Sequence, residues 1–468
     1  MSADLPMQIF SIFALLFLLV LTSIAAGSDQ RFGLATHFDR QNTDAARYGN
    51  YLHKQFVQEG VAWIRDDINW GLDEPTQGKY ILEPTKQQWI DAAAAADLGI
   101  VGVIDENVPT FYGGPGWTNN PAIIKATANF AAFWARAQAA KGYKIVIEVI
   151  NEAQNYRAFQ GPSGERLLFD LTNAVADAVH AAAPEVPVIG IDEQGDQILR
   201  ILALGPARFD GVVYHPYDPG NWIPEHTWEP TKLLPNVGGG AVDYLTWVKL
   251  LKSKTSLPLW ETERAISDKG REGEYWSAVW EARRTIASYW GGVAHTFMYE
   301  GCSVGGDDKQ SFLSFNQEPR QAMFVHQRLS AEVPASLIPS TTAPTEASPD
   351  SSSKNFKGLA FVTGTTANPT NTIAAVFYQN QMDAGVPKVN NVSIRIFQPR
   401  ATSVKAVNVV RGTTQDMLFT MNKNYVVVSD VPLSIEPVLL EVSTAGPKPT
   451  PTPPSTPSSK PRPLGRGR

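Results

Sequence analysis

Five apolar runs of this chain end in side chains that can move protons or hold charge. Glu148-Val149-Ile150-Asn151-Glu152 closes the run at 144–150, and Trp260-Glu261-Thr262-Glu263 closes the run at 257–263. Tyr214-His215-Pro216-Tyr217 lies between them in sequence, while Arg65-Asp66-Asp67 and Tyr299-Glu300 end two others. Two carboxyls that face one cleft from nearby strands meet the opposed demands of glycoside hydrolysis. One must be protonated, to give its proton to the leaving oxygen; the other must be ionised, to attack carbon or activate water. An arginine beside one of them would separate their local fields. Singly these signals are weak, because a Glu near a strand end is often just an ion-pair member. Their weight comes from register, since each group sits where a strand runs out.

The elements that position these groups repeat eight times. The runs are RFGLATHF (31–38), VAWIRDD (61–67), IVGVID (100–105), KIVIEVI (144–150), PVIGID (187–192), FDGVVYH (209–215), LPLWETE (257–263) and VAHTFMY (293–299). Ala- and Leu-rich helical stretches separate several of them, and glycines such as Gly99 and Gly142 stand where a helix must stop. Eight strands alternating with helices over about 300 residues is the size and order of a (β/α)8 barrel, with active groups at the C-terminal strand ends. A doubly wound open sheet is the competing fold, but no GxGxxG follows the first strand.

The expected organisation is a signal peptide at 1–27, a catalytic barrel at 30–330 and a Pro/Ser/Thr linker at 331–354. A small β-sandwich follows at 355–445, where helical periodicity gives way to short alternating strands, and a disordered Pro/Thr-rich tail ends the chain at 446–468. The signal has an apolar stretch at 9–26 and small residues before SDQR but lacks a basic leader, so an uncleaved anchor is the alternative. Either way the rest of the chain is expected outside the cytoplasm. The net charge is −6; the tail adds five basic residues and no acid to a body at −11. An acidic body argues against nucleic-acid binding, which needs a basic face. The lone cysteine, Cys302, excludes an intramolecular disulfide and cysteine-rich metal clusters. No cofactor or metal is expected, and the chain is expected to be a monomer.

Through 32–329 the sequence resembles glycoside hydrolases of clan A, the retaining (β/α)8 enzymes, and among them family 39 most, with family 5 as a neighbour. The matching segments are IRDDINWGLDEPTQGKY (64–80), IEVINEAQN (147–155), FDGVVYHPYD (209–218), LPLWETER (257–264) and HTFMYEG (295–301). A β-sandwich beside the barrel also occurs in family 39. The resemblance implies that Glu152 is the general acid/base and Glu263 the nucleophile. It implies that Asn151 bonds the sugar hydroxyl next to the reacting carbon, that Tyr217 holds the nucleophile, that His215 lines the cleavage subsite and that Arg65 supports Glu263 from below. Ile150 and Ala153 depart from the usual Trp and Pro, which puts the sugar, not the chemistry, in doubt.

Glu261 and Glu263 are two apart, so both are expected to face the barrel interior. Glu263 lies about 6–7 Å nearer the active rim, which favours it over Glu261. The same parity puts Glu148 below Glu152, as a structural partner for Arg65. Tyr299 and the loop aromatics Trp70, Trp117 and Trp222, with Tyr112 and Trp228, are candidates for stacking on the apolar faces of sugars, against a plain role as loop anchors. The reading is a secreted retaining glycosidase acting on a polysaccharide or its oligosaccharides. The alternatives are a catalytically inactive carbohydrate-binding barrel and a cell-surface adhesion protein.

Overall fold

The computed structural model describes residues 30–38, 53–104, 107–114, 116–118, 120–217, 223–227, 231–237, 240–265, 273–301, 311–313, 318–346, 356–379 and 390–444. The expected signal segment, the tail, Trp222, Trp228 and Cys302 lie outside these residues.

Parallel strands close into a barrel: β1 (Phe32–Ala35), β2 (Trp63–Ile68), β3 (Gly99–Ile104), β4 (Ile145–Val149), β5 (Val188–Gly190), β6 (Gly211–Tyr214), β7 (Leu259–Glu261) and β8 (His295–Tyr299). Neighbours in sequence pair side by side, and β8 returns to β1. Each strand overlaps one of the eight apolar runs. β2 to β7 are buried along their whole length, which is why they read as continuous rather than alternating apolar stretches.

The surrounding helices are α1 (Pro84–Ala95), α2 (Ala122–Ala139), α3 (Gly161–Ala182), α4 (Asp196–Leu202), α5 (Tyr244–Lys254), α6 (Glu274–Gly291) and α7 (Gln321–Glu332). Sequence periodicity does not reveal α4, which has 7 residues, or α5, which has 11. The start of α5 is nonetheless encoded: Asp243 caps it by accepting from the Thr246 amide at 2.8 Å. Among the described residues no helix is long and apolar enough to cross a membrane.

The barrel floor is a layer of Trp63, Val101, Val146, Ile189, Val213, Trp260 and Phe297, one residue from each of seven strands. Such large rings fit because glycines stand beside them. A Cβ on Gly99 would lie 2.2 Å from the Trp63 ring, and one on Gly33 2.3 Å from Phe297. Gly99→Ala is therefore expected to cost about 1–3 kcal/mol through overpacking, read as a lower denaturant midpoint with an unchanged slope. The same layer sets the parity of the site. Two residues further up, Arg65, Glu148, His215, Thr262 and Tyr299 come to the inner face at the active rim.

The C-terminal unit is a sandwich of two antiparallel sheets. One has the order β9 (Ile338–Pro339), β11 (Phe356–Thr365), β12 (Asn368–Tyr378), β18 (Val438–Ser443), β14 (Ser403–Asn408), β15 (Thr413–Asp416). The other runs β10 (Thr345–Glu346), β13 (Asn390–Phe397), β17 (Tyr425–Leu433), β16 (Phe419–Asn422). The stretch 331–354, read from its composition as a linker, thus supplies the edge strands β9 and β10, one to each sheet. Proline is tolerated at a sheet edge, so Pro/Ser/Thr richness did not forbid it. The sandwich docks on α6 and α7 through a shared core of Val279, Trp280, Val325 and Leu329 with Phe361 and Leu439. Polar ties reinforce it: the Tyr275 hydroxyl donates to Glu436 at 2.6 Å, and Arg328 donates to the Val409 carbonyl at 2.8 Å. It therefore buttresses α6, the helix that follows the loop beyond Glu263.

Candidate active site

The site begins where the backbone leaves strand geometry. Ile150 (φ 67°) and Glu152 (φ 46°) follow β4, and Ile191 (φ 58°) follows β5, all in the left-handed region. A β-branched residue there is strained, and such strain concentrates at functional sites because the surroundings must enforce it. At Glu152 the turn is held by Asp192. Its carboxylate accepts from the Glu152 amide at 2.5 Å, and its carbonyl accepts from the Ala153 amide at 3.0 Å. Two successive amides of the turn after β4 are thereby tied to one residue after β5.

Arg65 is the hub on the other side. Its Nε and Nη2 donate to the two oxygens of Glu148 at 2.8 and 2.7 Å. Nη1 donates to Glu263 Oε1 at 2.6 Å, and Nη2 also reaches Asn151 Oδ1 at 2.7 Å. Glu148 is fully buried, so this planar fork replaces the hydration it has lost. The Tyr217 hydroxyl donates to the remaining oxygen of Glu263 at 2.5 Å. Burial alone would raise the Glu263 pKa. The His215 and Arg65 charges and the Tyr217 and Arg65 hydrogen bonds outweigh it and hold Glu263 down at about 2.

His215 stands between the carboxylates. Nδ1 is 3.3 Å from Glu152 Oε1 and 3.8 Å from Glu263 Oε2. Nε2 meets Thr262 Oγ1 at 3.0 Å and Asp192 Oδ2 at 3.3 Å. Burial opposes a charge on the imidazole, but Asp192, Glu263 and Glu152 together push it up to about 9. Asp192 is itself pushed up to about 7, by burial first and by Glu148 and Glu152 after it, against the pull of His215. Four carboxylates thus share two cations, Arg65 and His215. Glu152 and Glu263 bring oxygens within 4.8 Å of each other and of His215. The Glu152 side chain is 26% exposed and the Glu263 side chain 9% exposed, so Glu152 is the more open to a departing group. The same three residues could contribute one metal ligand each, but Arg65, Tyr217 and His215 already supply the charge and donors that a cation would bring.

The structure gathers Arg65, Asn151, Glu152, His215, Tyr217 and Glu263 into one constellation. Tyr299 lies at its edge, half-buried, with its hydroxyl 2.9 Å from His37 Nε2 and its ring close enough to Tyr217 to bias its ionisation. Three expectations need correction. Glu261 does not face the interior: Trp260 and Thr262 do, so the strand's alternation turns Glu261 outward to the helices. There it accepts from Ser288 and Thr296 and lies 3.6 Å from Arg284 and 3.8 Å from Arg264. Trp70 has no exposed surface; it stacks on Phe130 and donates to Glu74 at 2.6 Å, which makes it a loop anchor. Trp117 is 7% exposed, lies against Trp70 and Phe159, and lines a depression of about 660 Å³ with Thr118, Arg157, Gln160 and Ser163 instead of touching the carboxylates. Sequence reading passed over Asp192 and Thr262. The signal for Asp192 was there, since it is the polar last residue of the fifth run, PVIGID.

No protein-family model matches the chain, and no curated protein matches it. Solved structures do. A family 39 glycoside hydrolase from the gut symbiont Bacteroides cellulosilyticus WH2 aligns over 89% of this chain and 82% of its own, at 19% identity and a TM-score of 0.65. The catalytic domain of GH30 xylanase C from Talaromyces cellulolyticus aligns over 89% and 96%, at 15% identity and a TM-score of 0.58. The GH39 enzyme from Xanthomonas axonopodis pv. citri aligns over 91% and 96%, at 16% identity and a TM-score of 0.55. These matches extend over barrel and sandwich together and establish the fold.

Proposed function

We propose that this chain is a retaining glycoside hydrolase that cleaves O-glycosidic bonds of a polysaccharide or its oligosaccharides by double displacement. The observation that carries the reading is the Glu152–Glu263 pair, whose oxygens approach within 4.8 Å. Retaining pairs lie about 5–5.5 Å apart, whereas inverting pairs stand about 6.5–9.5 Å apart to admit a water. The fields around the two groups support the division of labour. Glu263, held ionised by Arg65, His215 and Tyr217, attacks the anomeric carbon. The bond to the leaving oxygen breaks as Glu152 gives that oxygen its proton. Glu152, now a carboxylate, takes a proton from water, whose oxygen displaces Glu263 from carbon. Arg65 occupies Asn151 Oδ1, which leaves the Asn151 amide N–H groups for the neighbouring sugar hydroxyl. No cofactor enters this scheme. The neighbours of similar fold, named as glycoside hydrolases and a xylanase, support the same class of reaction.

The apolar stretch at 9–26 supports export, so the enzyme is read as acting outside the cytoplasm, as a monomer. The test is hydrolysis of 4-nitrophenyl glycosides of xylose, glucose, mannose, galactose and arabinose, with the first-formed product followed by NMR. The expected product keeps the substrate's anomeric configuration. An inverted anomer would overturn the mechanism, and inertness towards every sugar and towards plant polysaccharides would overturn the enzyme.

A further inference from the structure

We propose that Asp192 is the positioning residue of the proton donor, fixing the Glu152 backbone and the His215 ring at once. The inference rests on the reading of Glu152 as acid/base and adds a residue to it. Asp192 is 1% exposed. Its two functional contacts leave the same oxygen: Oδ2 accepts from the Glu152 amide at 2.5 Å and faces His215 Nε2 at 3.3 Å. The opposite ring nitrogen of His215 meets the Glu152 carboxylate at 3.3 Å. Asp192 therefore reaches Glu152 by two routes, through its main chain and through the imidazole. The first route matters because Glu152 sits at φ 46°, a conformation that an unassisted glutamate leaves readily. The second matters because an acid catalyst misplaced by about 1 Å loses much of its effect.

Several charged groups face Asp192 besides His215. Glu148 and Glu152 come from the β4 side, and Arg65 interacts from β2. Glu193 follows it in the chain and is 1% exposed, with its pKa pushed up to about 8, chiefly by burial and then by Asp192 and Glu165. A carboxylate with no catalytic use would not be expected to lie beneath so many others, because each adds to the repulsion that must be offset. The contacts to Glu152 and His215 supply that use.

Asp192→Ala and Asp192→Asn test the proposal. Alanine removes both contacts. Asparagine keeps an oxygen for the Glu152 amide but loses the charge opposite His215. In Asp192→Ala, kcat on a phenyl glycoside, which needs protonation of its leaving group, is expected to fall about 100-fold, with KM changed by less than about threefold. On the 2,4-dinitrophenyl glycoside of the same sugar, whose first step needs no proton, the fall in kcat/KM is expected to stay under about fivefold, while kcat falls because Glu152 must still activate the water of the second step. Asp192→Asn is expected to recover most of the lost kcat. It is also expected to lower the NMR titration midpoint of the His215 imidazole by about one unit or more, the resonance being assigned by its absence in His215→Gln. Equal losses of kcat/KM on both leaving groups would reduce Asp192 to a structural residue, and an unchanged His215 midpoint in the asparagine variant would overturn the pairing. The NMR result needs no turnover. If the wild-type protein cleaves nothing, the glycosidase reading fails separately, and the titration alone decides whether Asp192 governs His215. If the alanine variant does not fold, the asparagine variant still carries the titration.

Discussion

Glu263→Gln is expected to abolish turnover, by about 10⁴-fold or more, in a protein that still folds. The substitution removes the oxygen that bonds to carbon. It leaves an amide whose one oxygen can still accept from Arg65 and whose NH2 can donate to the Tyr217 hydroxyl, the two groups that now hold Glu263 at 2.6 and 2.5 Å. Glu261→Gln is expected to do the opposite. Glu261 is fully buried behind the barrel wall, against Arg284 and Arg264, and touches none of the reacting groups. Breaking such a buried pair costs about 3–5 kcal/mol, so the loss should appear in the melting temperature while the folded fraction keeps substantial kcat. A trapped 2-fluoroglycosyl adduct on Glu261 would reverse the two assignments. The pH dependence follows from the same contacts. Glu263 has its pKa depressed from 4.5 to about 2, so the acidic limb of kcat/KM that it governs lies well below pH 4. Its contribution to stability is complete above pH 4.5 and is lost as the pH falls through about 2. Glu263→Gln should flatten acid unfolding across that window.

Much of the barrel was legible because a strand buried on both faces leaves an unbroken apolar run, and because a helix buried on one side ends at glycine or a cap. The parity of β7 was harder to read. Counting two residues from Glu261 to Glu263 assumed that the pleat continues, but β7 ends at Glu261, and Thr262 is the residue that points inward to Glu148. The preference for Glu263 stands on its contacts, not on that count. The reversal after β4 was equally hidden, since nothing in an Ile-Asn-Glu sequence announces φ 67° at Ile150. The turn is tied from outside by Asp192, which holds the Glu152 amide from 40 positions away. Long-range enforcement of this kind leaves no local pattern. Composition was also a poor guide to Trp70, because a tryptophan in a rim loop looks the same whether it stacks on a sugar or, as here, on Phe130. Ile338 and Thr345 show the same limit at the sandwich, where two-residue edge strands are too short to impose a period.

Glu152→Ala separates the two chemical steps and is the second large effect. On a leaving group that needs a proton, kcat is expected to fall by about 10²–10⁴-fold, the usual contribution of a positioned general acid. On a 2,4-dinitrophenyl glycoside the first step proceeds unaided, and the glycosyl-enzyme on Glu263 accumulates because no base activates the water. Added azide should then restore turnover. It needs no deprotonation, and deleting a side chain that is 26% exposed opens a path for it to the anomeric carbon. The product should be a glycosyl azide with the substrate's anomeric configuration, since attack comes from the face that the leaving group vacated. The basic limb of the pH profile should vanish in this variant and the acidic limb should persist, because Arg65 and Tyr217 still hold Glu263 ionised. An azide product of the opposite configuration would mean that Glu152 is the nucleophile. If azide had no effect and both classes of leaving group slowed alike, Glu152 would be structural. The contacts argue against both outcomes. Glu152 is bound by one ring nitrogen of His215 and by Asn155, at 3.3 and 2.8 Å, and keeps an open face, whereas Glu263 is enclosed by a guanidinium and a phenol. A group that must give up and recover a proton in each cycle needs the first environment, and a group that must stay ionised until it meets carbon needs the second.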